Sequence, residues 1–235
     1  MSRAGGQETA FLLDVDNTVL DNDRFEHDLR AHLVQAVGHD GNDAFWRGFE
    51  ARRAQCGYAD YLGTVQRSFE NAGRDTRWLP VGGFMLDYPF ADRLYDGALE
   101  LLAGLAARGP TWLISDGDGV MQPRKLQRAG LWDAVSGRVR IYVHKQTRLD
   151  EIARLCPAAH YVFVDDKIAI LDAVKRHWRQ RVTTVLPQQG HYATERGAAG
   201  SWLPADVRIP AISALAQALV PPLTPTATPN LTGTP

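Results

Sequence analysis

The feature that most constrains the fold is a regular alternation of strand-length apolar runs with helical segments in the second half of the chain. The apolar runs are short and rich in β-branched and aromatic residues, and helical periodicity separates them. They read TWLIS, VRIYVHK, HYVFV and RVTTVLP, the last being the last predicted strand. Such alternation favours a parallel sheet covered by helices. We therefore predict an α/β fold with a Rossmann-like parallel sheet and helices on both faces.

A helical insert follows the first predicted strand, which covers residues 10–16. Its first segment carries apolar side chains at four-residue spacing, which predicts a helix that ends at Gly38. These side chains are Phe25, Leu29, Leu33 and Val37. Two more helices are predicted after it, whereas the Gly- and Pro-containing segment RWLPVGGFMLDYPF is predicted to be a loop. We expect this all-helical insert to lie over the carboxyl end of the first strand.

These patterns divide the chain into three parts. The predicted core comprises residues 1–21 and 86–218, and the helical insert comprises residues 22–85. Residues 219–235 form a Pro/Thr-rich tail that cannot build a packed core, so we predict that it is disordered.

Composition excludes several classes of protein. The formal net charge of −1 gives no bulk field that would attract nucleic acid or an anionic membrane. No run approaches the roughly 18 apolar residues of a membrane span, and no signal peptide is recognised. Cys56 and Cys156 are predicted to be buried thiols rather than a disulfide. We expect a cytoplasmic protein, and the sequence indicates no particular oligomeric state.

Polar side chains cluster where the predicted strands end. The first strand leads to Asp14, Asp16 and Thr18, and the others lead to the following groups: Ser115-Asp116-Gly117, Lys145 and Asp165-Asp166. Ligands of parallel α/β sheets bind beyond these carboxyl ends. The carboxylates fit Mg²⁺, a hard cation, whereas the hydroxyl, the lysine and the backbone N–H groups fit a phosphate.

This set of motifs resembles that of the haloacid dehalogenase superfamily. The segment FLLDVDNT resembles its first motif, Asp-x-Asp-x-Thr after an apolar strand, and WLISDG resembles its second. Lys145 matches the third motif and YVFVDD the fourth, in the form with two adjacent acids. The motifs occur in the family's order across residues of about 10–190, and the insert stands where the family has a helical cap of the first type.

The resemblance implies a role for each matched residue. Asp14 would be the nucleophile that forms an aspartyl-phosphate, and Asp16 would protonate the leaving alcohol and then deprotonate water. Asp14, the backbone carbonyl of Asp16 and the Asp165/Asp166 pair would hold Mg²⁺, with a slight preference for Asp166 as the direct ligand of that pair. The remaining roles concern the phosphate and the loop. Ser115, Asp116, Gly117 and Lys145 would bind the phosphoryl group, and Thr18 would order the loop by a local hydrogen bond.

The acid at position 16 distinguishes the two reactions that the family's name suggests. Halide leaves carbon as a stable anion without a proton, and the family's dehalogenases lack this second acid. Phosphomonoester hydrolysis expels an alkoxide, which needs a proton. We therefore predict a Mg²⁺-dependent phosphomonoester hydrolase that acts on a small phosphorylated metabolite.

Other interpretations are weighed against this one. Taken alone, an Asp-x-Asp after an apolar run is most often a polar turn or helix cap. A phosphate-receiving signalling domain uses similar residues, but there the phosphorylated Asp follows a middle strand of the chain and no such insert occurs. A non-catalytic phosphometabolite-binding or regulatory member of the same fold is the main alternative. The insert's Arg47, Arg52 and Arg53 could face a phosphorylated substrate, but a solvated helix face is the preferred interpretation. Lys167 is also interpreted as a solvated side chain.

Overall fold

A computed structural model describes residues 9–194 and 202–219. Its centre is one sheet of six strands, all of whose pairs are parallel. The strands are β1 (Thr9–Leu13), β2 (Thr111–Asp116), β3 (Val139–Tyr142), β4 (His160–Val164), β5 (Val182–Pro187) and β6 (Val207–Ile209). Their order across the sheet is β3-β2-β1-β4-β5-β6. The predicted α/β parallel sheet is confirmed, but β5 is not the last strand, because the three-residue β6 pairs with its outer edge.

The strand order reverses between β1 and β4. From β1 the chain builds outward through β2 and β3, then returns to the other side of β1 and builds through β4, β5 and β6. In open α/β sheets such a switch point leaves a crevice at the carboxyl ends of the strands, where ligands bind. Leu13 pairs with Val164, so the residues that follow β1 and β4 meet at this point.

The insert between β1 and β2 contains three helices, which are α1 (Asn22–Cys56), α2 (Tyr61–Asn71) and α3 (Leu79–Asp87). Asp21 caps α1, because its side chain accepts a hydrogen bond from the backbone N–H of Arg24. The predicted helix end at Gly38 is a kink instead, with φ 80° and ψ 175°, after which α1 resumes.

The prediction of a loop at residues 77–90 is wrong over most of its length. Pro80 stands in the first turn of α3, where a missing N–H costs nothing. Val81 and Met85 lie one turn apart and are fully buried. Burial of these two side chains outweighs the weak helix propensity of Gly82 and Gly83 between them.

Helices cover both faces of the sheet. They are α4 (Ala98–Ala106), α5 (Met121–Arg128), α6 (Leu131–Ala134), α7 (Leu149–Leu155), α8 (Ile168–Trp178), α9 (Gly190–Thr194) and α10 (Leu215–Ala218). Alternate side chains of β1 enter two separate apolar clusters, Phe11 and Leu13 on one face and Ala10 and Leu12 on the other. A strand buried on both faces is apolar throughout, which explains why β1 is a continuous apolar run.

The insert shares one apolar cluster with the core. The predicted stripe of α1 is buried, and its first member, Phe25, packs its ring 5.5 Å from that of Tyr61 and 5.2 Å from that of Phe90. Phe90 lies just beyond the insert, so these rings join it to the sheet domain. The same cluster includes Phe11 and Leu13 of β1.

Three further sequence predictions concern the cysteines, the termini and membranes. Both cysteines are free thiols: Cys156 is buried, which raises its pKa to about 11, whereas Cys56 is only half-buried. The tail predicted to be disordered lies, apart from its first residue, outside the described residues. Within the described part of the chain, no helix combines the length and the apolar character that crossing a membrane requires.

Candidate active site

The four predicted strand ends meet at the switch point of the sheet. The backbone N–H of Asp14 bonds to the carbonyl of Val164 at 2.9 Å, which extends the β1–β4 ladder by one residue. Asp165 likewise bonds to Val185 of β5 at 3.2 Å. These backbone bonds bring the acids that follow β1 and β4 side by side.

Three carboxylates form a buried cluster at this point. Asp14, Asp165 and Asp166 are 5%, 0% and 0% exposed, and one oxygen from each lies within 4.8 Å of the others. Lys145 inserts its ammonium among them: it pairs with Asp14 and stands 2.7 Å from Asp165. Like charges this close in a dry site repel, so the cluster favours protons or a cation.

The electrostatics of the cluster follow from its burial. Burial raises the pKa of Asp14 to about 6; Asp165 adds to this shift and Lys145 opposes it. Burial together with Asp165 and Asp14 raises the pKa of Asp166 to about 9. For Lys145, burial works against the charged form, but the neighbouring carboxylates prevail and raise its pKa.

Asp16 lies beside this cluster on a surface cleft. Its two carboxylate oxygens accept hydrogen bonds from two side chains of α5, Lys125 at 2.7 Å and Gln122 at 3.3 Å. Gln122 also donates to the Ser115 hydroxyl at 2.7 Å, so one side chain links the acid of the first motif to the hydroxyl of the second.

Lys125 and Gln122 are functional candidates that the sequence analysis missed. Lys125 is 1% exposed, although lysine is rarely buried without a task. The available signal was the amphipathic pattern of α5, since its buried face comprises Met121, Gln122, Lys125 and Leu126. Two polar residues in the buried stripe of the helix that follows Ser115 mark the face that reaches the site.

The contacts of three predicted residues differ from the expectation. The Asp116 carboxylate accepts from the backbone N–H of Lys145 at 2.7 Å, and the N–H of Gly117 donates to Tyr142. Thr18 was expected to order the loop, but its buried hydroxyl has no hydrogen-bond partner among the described residues. The side chain of Asn17 orders the loop instead, because its oxygen accepts from the N–H groups of residues 22 and 23.

A cleft of about 290 Å³ separates these groups from the insert. Asp16, Asp116 and Lys167 line its sheet side, and Phe49, Arg53, Tyr58 and Tyr61 line its insert side. A larger cavity of about 620 Å³ lies within the insert, but its lining contains none of the strand-end residues. We therefore regard the smaller cleft as the candidate active site.

The fold and the site define a hydrolase-like α/β protein with an acidic centre at the switch point. Comparison with solved structures identifies its family. A haloacid dehalogenase-like hydrolase from Burkholderia xenovorans LB400 is 50% identical, with a TM-score of 0.85 over 90% of this chain and 96% of that one. The chain belongs to the haloacid dehalogenase-like hydrolases. No protein-family model and no curated protein matches the chain.

Two more distant structures share the fold. One is a HAD-hydrolase from Bacillus subtilis bound to magnesium, 15% identical, with a TM-score of 0.60 over 90% of this chain and 98% of that one. The other is L-2-haloacid dehalogenase from Xanthobacter autotrophicus with chloropropionic acid covalently bound, 16% identical, with a TM-score of 0.55 over 89% and 97%. At these identities the similarity concerns the fold and leaves the choice of reaction to the site.

Proposed function

We propose that the protein is a Mg²⁺-dependent phosphomonoester hydrolase that acts on a small phosphorylated metabolite through an aspartyl-phosphate at Asp14. The observation that carries this proposal is the buried cluster of Asp14, Asp165 and Asp166. The Lys145 ammonium offsets only part of the charge of three carboxylates in a dry site, and oxygen ligands of this kind suit Mg²⁺.

The polar atoms of the cluster fit a bound cation. Both carboxylate oxygens of Asp166 are buried and lack a hydrogen-bond partner among the described residues. Asp165, in contrast, contacts Lys145 and accepts from the backbone N–H of Lys167 at 2.9 Å. This contrast favours Asp166 as the direct ligand, together with Asp14 and the backbone carbonyl of Asp16. When bound, Mg²⁺ would supply positive charge that offsets the phosphoryl group and the nucleophile.

The protein's own residues then divide the reaction between them. A carboxylate oxygen of Asp14 attacks phosphorus, the bond from phosphorus to the substrate oxygen breaks, and Asp16 donates a proton to that oxygen. In the second step Asp16 takes a proton from water, which attacks phosphorus and releases phosphate from Asp14. Ser115 and Lys145 would hold the phosphoryl oxygens, with the backbone around Asp116 and Gly117 shaping the loop.

Asp16 favours phosphate chemistry over dehalogenation. It lines the cleft, whereas Asp14 is buried behind it, so it is well situated to meet a leaving group. An alkoxide needs the proton that such an acid supplies, and a halide does not. The nucleophile, the acid and the lysine converge, which favours catalysis over the non-catalytic binding role.

We also propose that residues 22–85 act as a cap over this site. The insert supplies one wall of the cleft, and its two connections to the core run side by side, with the N–H of Asp21 bonded to the carbonyl of Arg93. Segments near residues 21–23 and 88–93 are the natural hinges for opening. A cytoplasmic location belongs to the same proposal, because free thiols are typical of a reducing compartment.

A hydrolysis screen tests the proposed reaction. Chelator-treated protein would be assayed on a panel of phosphomonoesters with and without Mg²⁺, and on 2-haloacids for halide release. We expect phosphate release that depends on Mg²⁺, with Ca²⁺ a poor substitute because its longer and looser coordination misplaces the substrate. Full activity without a divalent ion, or halide release, would overturn the proposal.

A further inference from the structure

The acidic and the basic side chains that line the cleft differ in the partners they contact. Each acid there has a donor: Asp16 has Lys125, Glu26 accepts from the Tyr61 hydroxyl at 2.6 Å, and Asp116 accepts from a backbone N–H. Both permanent cations of the lining, Arg53 and Lys167, lie against the ring of Tyr192, and Lys167 also has the carboxylates of the acidic cluster near it.

Arg53 projects from α1 into the cleft and is half-buried. Its guanidinium donates to the Tyr192 hydroxyl, and its central carbon lies 5.9 Å from the centroid of the Tyr192 ring. No carboxylate of the described residues comes within 4.0 Å of its nitrogen atoms. The arginine one position earlier is different, since Arg52 forms an ion pair with Asp60 and lines the other cavity.

Lys167 approaches the same ring from the sheet domain. Its ammonium lies 4.7 Å from the centroid of Tyr192, and the residue directly follows Asp166. Lys167 therefore belongs to the acidic centre, where three carboxylates can balance its charge. Arg53 belongs to the opposite wall, where a leaving group would lie.

Arg53 is half-buried and contacts a neutral phenol, so its positive charge can still bind an anion. Removing a charge from water is costly unless a partner of opposite charge replaces the water. The guanidinium fork matches a carboxylate in particular, through two parallel hydrogen bonds. The contact with Tyr192 limits the freedom of the side chain, so less entropy is lost when an anion binds.

We propose that Arg53 binds a carboxylate on the leaving group, so that the substrate is a small phosphomonoester of a hydroxy acid. This inference rests on the proposed function and adds a substrate class to it. The size of the cleft, about 290 Å³, agrees with a small leaving group. The competing explanation is structural: the bond from Arg53 to Tyr192 would only fasten the insert to α9.

A pair of matched esters separates these explanations. The substrates are 3- and 4-carboxyphenyl phosphate and the corresponding carbamoylphenyl phosphates. The carbamoyl compounds have nearly the same shape, but an uncharged amide replaces the carboxylate. We expect the wild type to prefer the carboxylate in kcat/KM by at least about tenfold, the worth of one charge-assisted hydrogen bond. Arg53→Gln should lower this ratio to about one, and Arg53→Lys should retain part of it.

The matched control is Arg47→Gln, which removes an exposed arginine from the same helix and should leave the ratio as in the wild type. A wild-type ratio near one, or an equal loss on both esters in Arg53→Gln, would overturn the carboxylate site in favour of a structural contact. Failure of the wild type to release phosphate from any ester would instead overturn the proposed function.

Discussion

The two walls of the cleft differ in how the chain builds them. On the sheet side, the acids directly follow strands, and backbone ladders hold them in register. On the insert side, Phe49, Arg53 and Tyr61 project from helices, and Tyr58 lies in the turn between α1 and α2. In the proposed reaction, the sheet wall would supply the groups for phosphoryl transfer, and the insert wall would contact the leaving group. If the proposal holds, different parts of the sequence determine the reaction type and the choice of substrate.

Asp14→Asn gives the largest expected effect and tests the sheet wall. The amide cannot attack phosphorus, and no neighbouring group can replace it, so turnover should fall by about 10⁴-fold or more. The fold should persist, because the substitution keeps the shape and removes one charge from a crowded acidic cluster. Phosphate release and thermal unfolding would be measured together. The control is Asp133→Asn, an exposed acid; near-normal turnover of the Asp14 variant would remove Asp14 as nucleophile.

Asp16→Asn tests the acid with which the sheet wall lines the cleft. Turnover should fall by about 10²–10⁴-fold, the usual worth of a positioned general acid. The loss should shrink for leaving groups of low pKa, because they depart with less help from a proton. Aryl phosphates of graded leaving-group pKa would be compared in wild type and variant. The same loss across the series would contradict the assignment of Asp16 as the acid.

The strand-end acids could be predicted from sequence, because a residue that directly follows a parallel strand must lie at the carboxyl edge of the sheet. The pattern of α5 places Lys125 and Gln122 on its buried face, but it does not reveal their partner, because Asp16 lies 109 and 106 residues earlier in the chain. The loop residue was misassigned for a similar reason. Asn17 takes φ 60°, a conformation that asparagine tolerates, and this turns its side chain toward α1.

Two errors in the fold have a packing origin. In α3, tertiary burial overrides the glycines, which single-sequence propensity cannot foresee. In β6, three residues become a strand only because β5 offers an unpaired edge.

Asp166 allows a test that does not depend on turnover. Its pKa in the folded protein is raised from about 3.8 to about 9, so the folded state holds a proton that the unfolded state has released between these values. Stability of the metal-free protein should therefore fall as pH rises through this window. Mg²⁺ should restore stability at the upper end, because it binds the folded state alone.

The measurement is the denaturant midpoint at pH 5 and pH 8, with chelator or with Mg²⁺. Asp166→Asn should show a smaller difference between the two pH values than the wild type and little gain from Mg²⁺, whereas Asp133→Asn should behave as the wild type does. If Mg²⁺ stabilised the Asp166 variant as strongly as the wild type, Asp166 would not be a ligand.

Lys125→Met gives the smallest expected effect and asks whether the two walls act together. Lys125 joins them, because its ammonium bonds to Asp16 on the sheet side and to Asn22, at 2.9 Å, where the insert begins. We interpret it as a positioning residue that holds Asp16 toward the leaving group. Its removal should lower kcat about tenfold. A misplaced Asp16 would still donate a proton, but less efficiently.

The loss in Lys125→Met should be greater for leaving groups of high pKa, which distinguishes positioning from a general loss of stability. Lys175→Met is the matched control, because it removes a lysine that pairs with Asp206 at 2.8 Å but lines none of the cleft. The control should lose some stability and keep the wild-type dependence on leaving-group pKa. If both variants kept that dependence, Lys125 would only fill space between the walls, and the insert would influence substrate choice without influencing proton transfer.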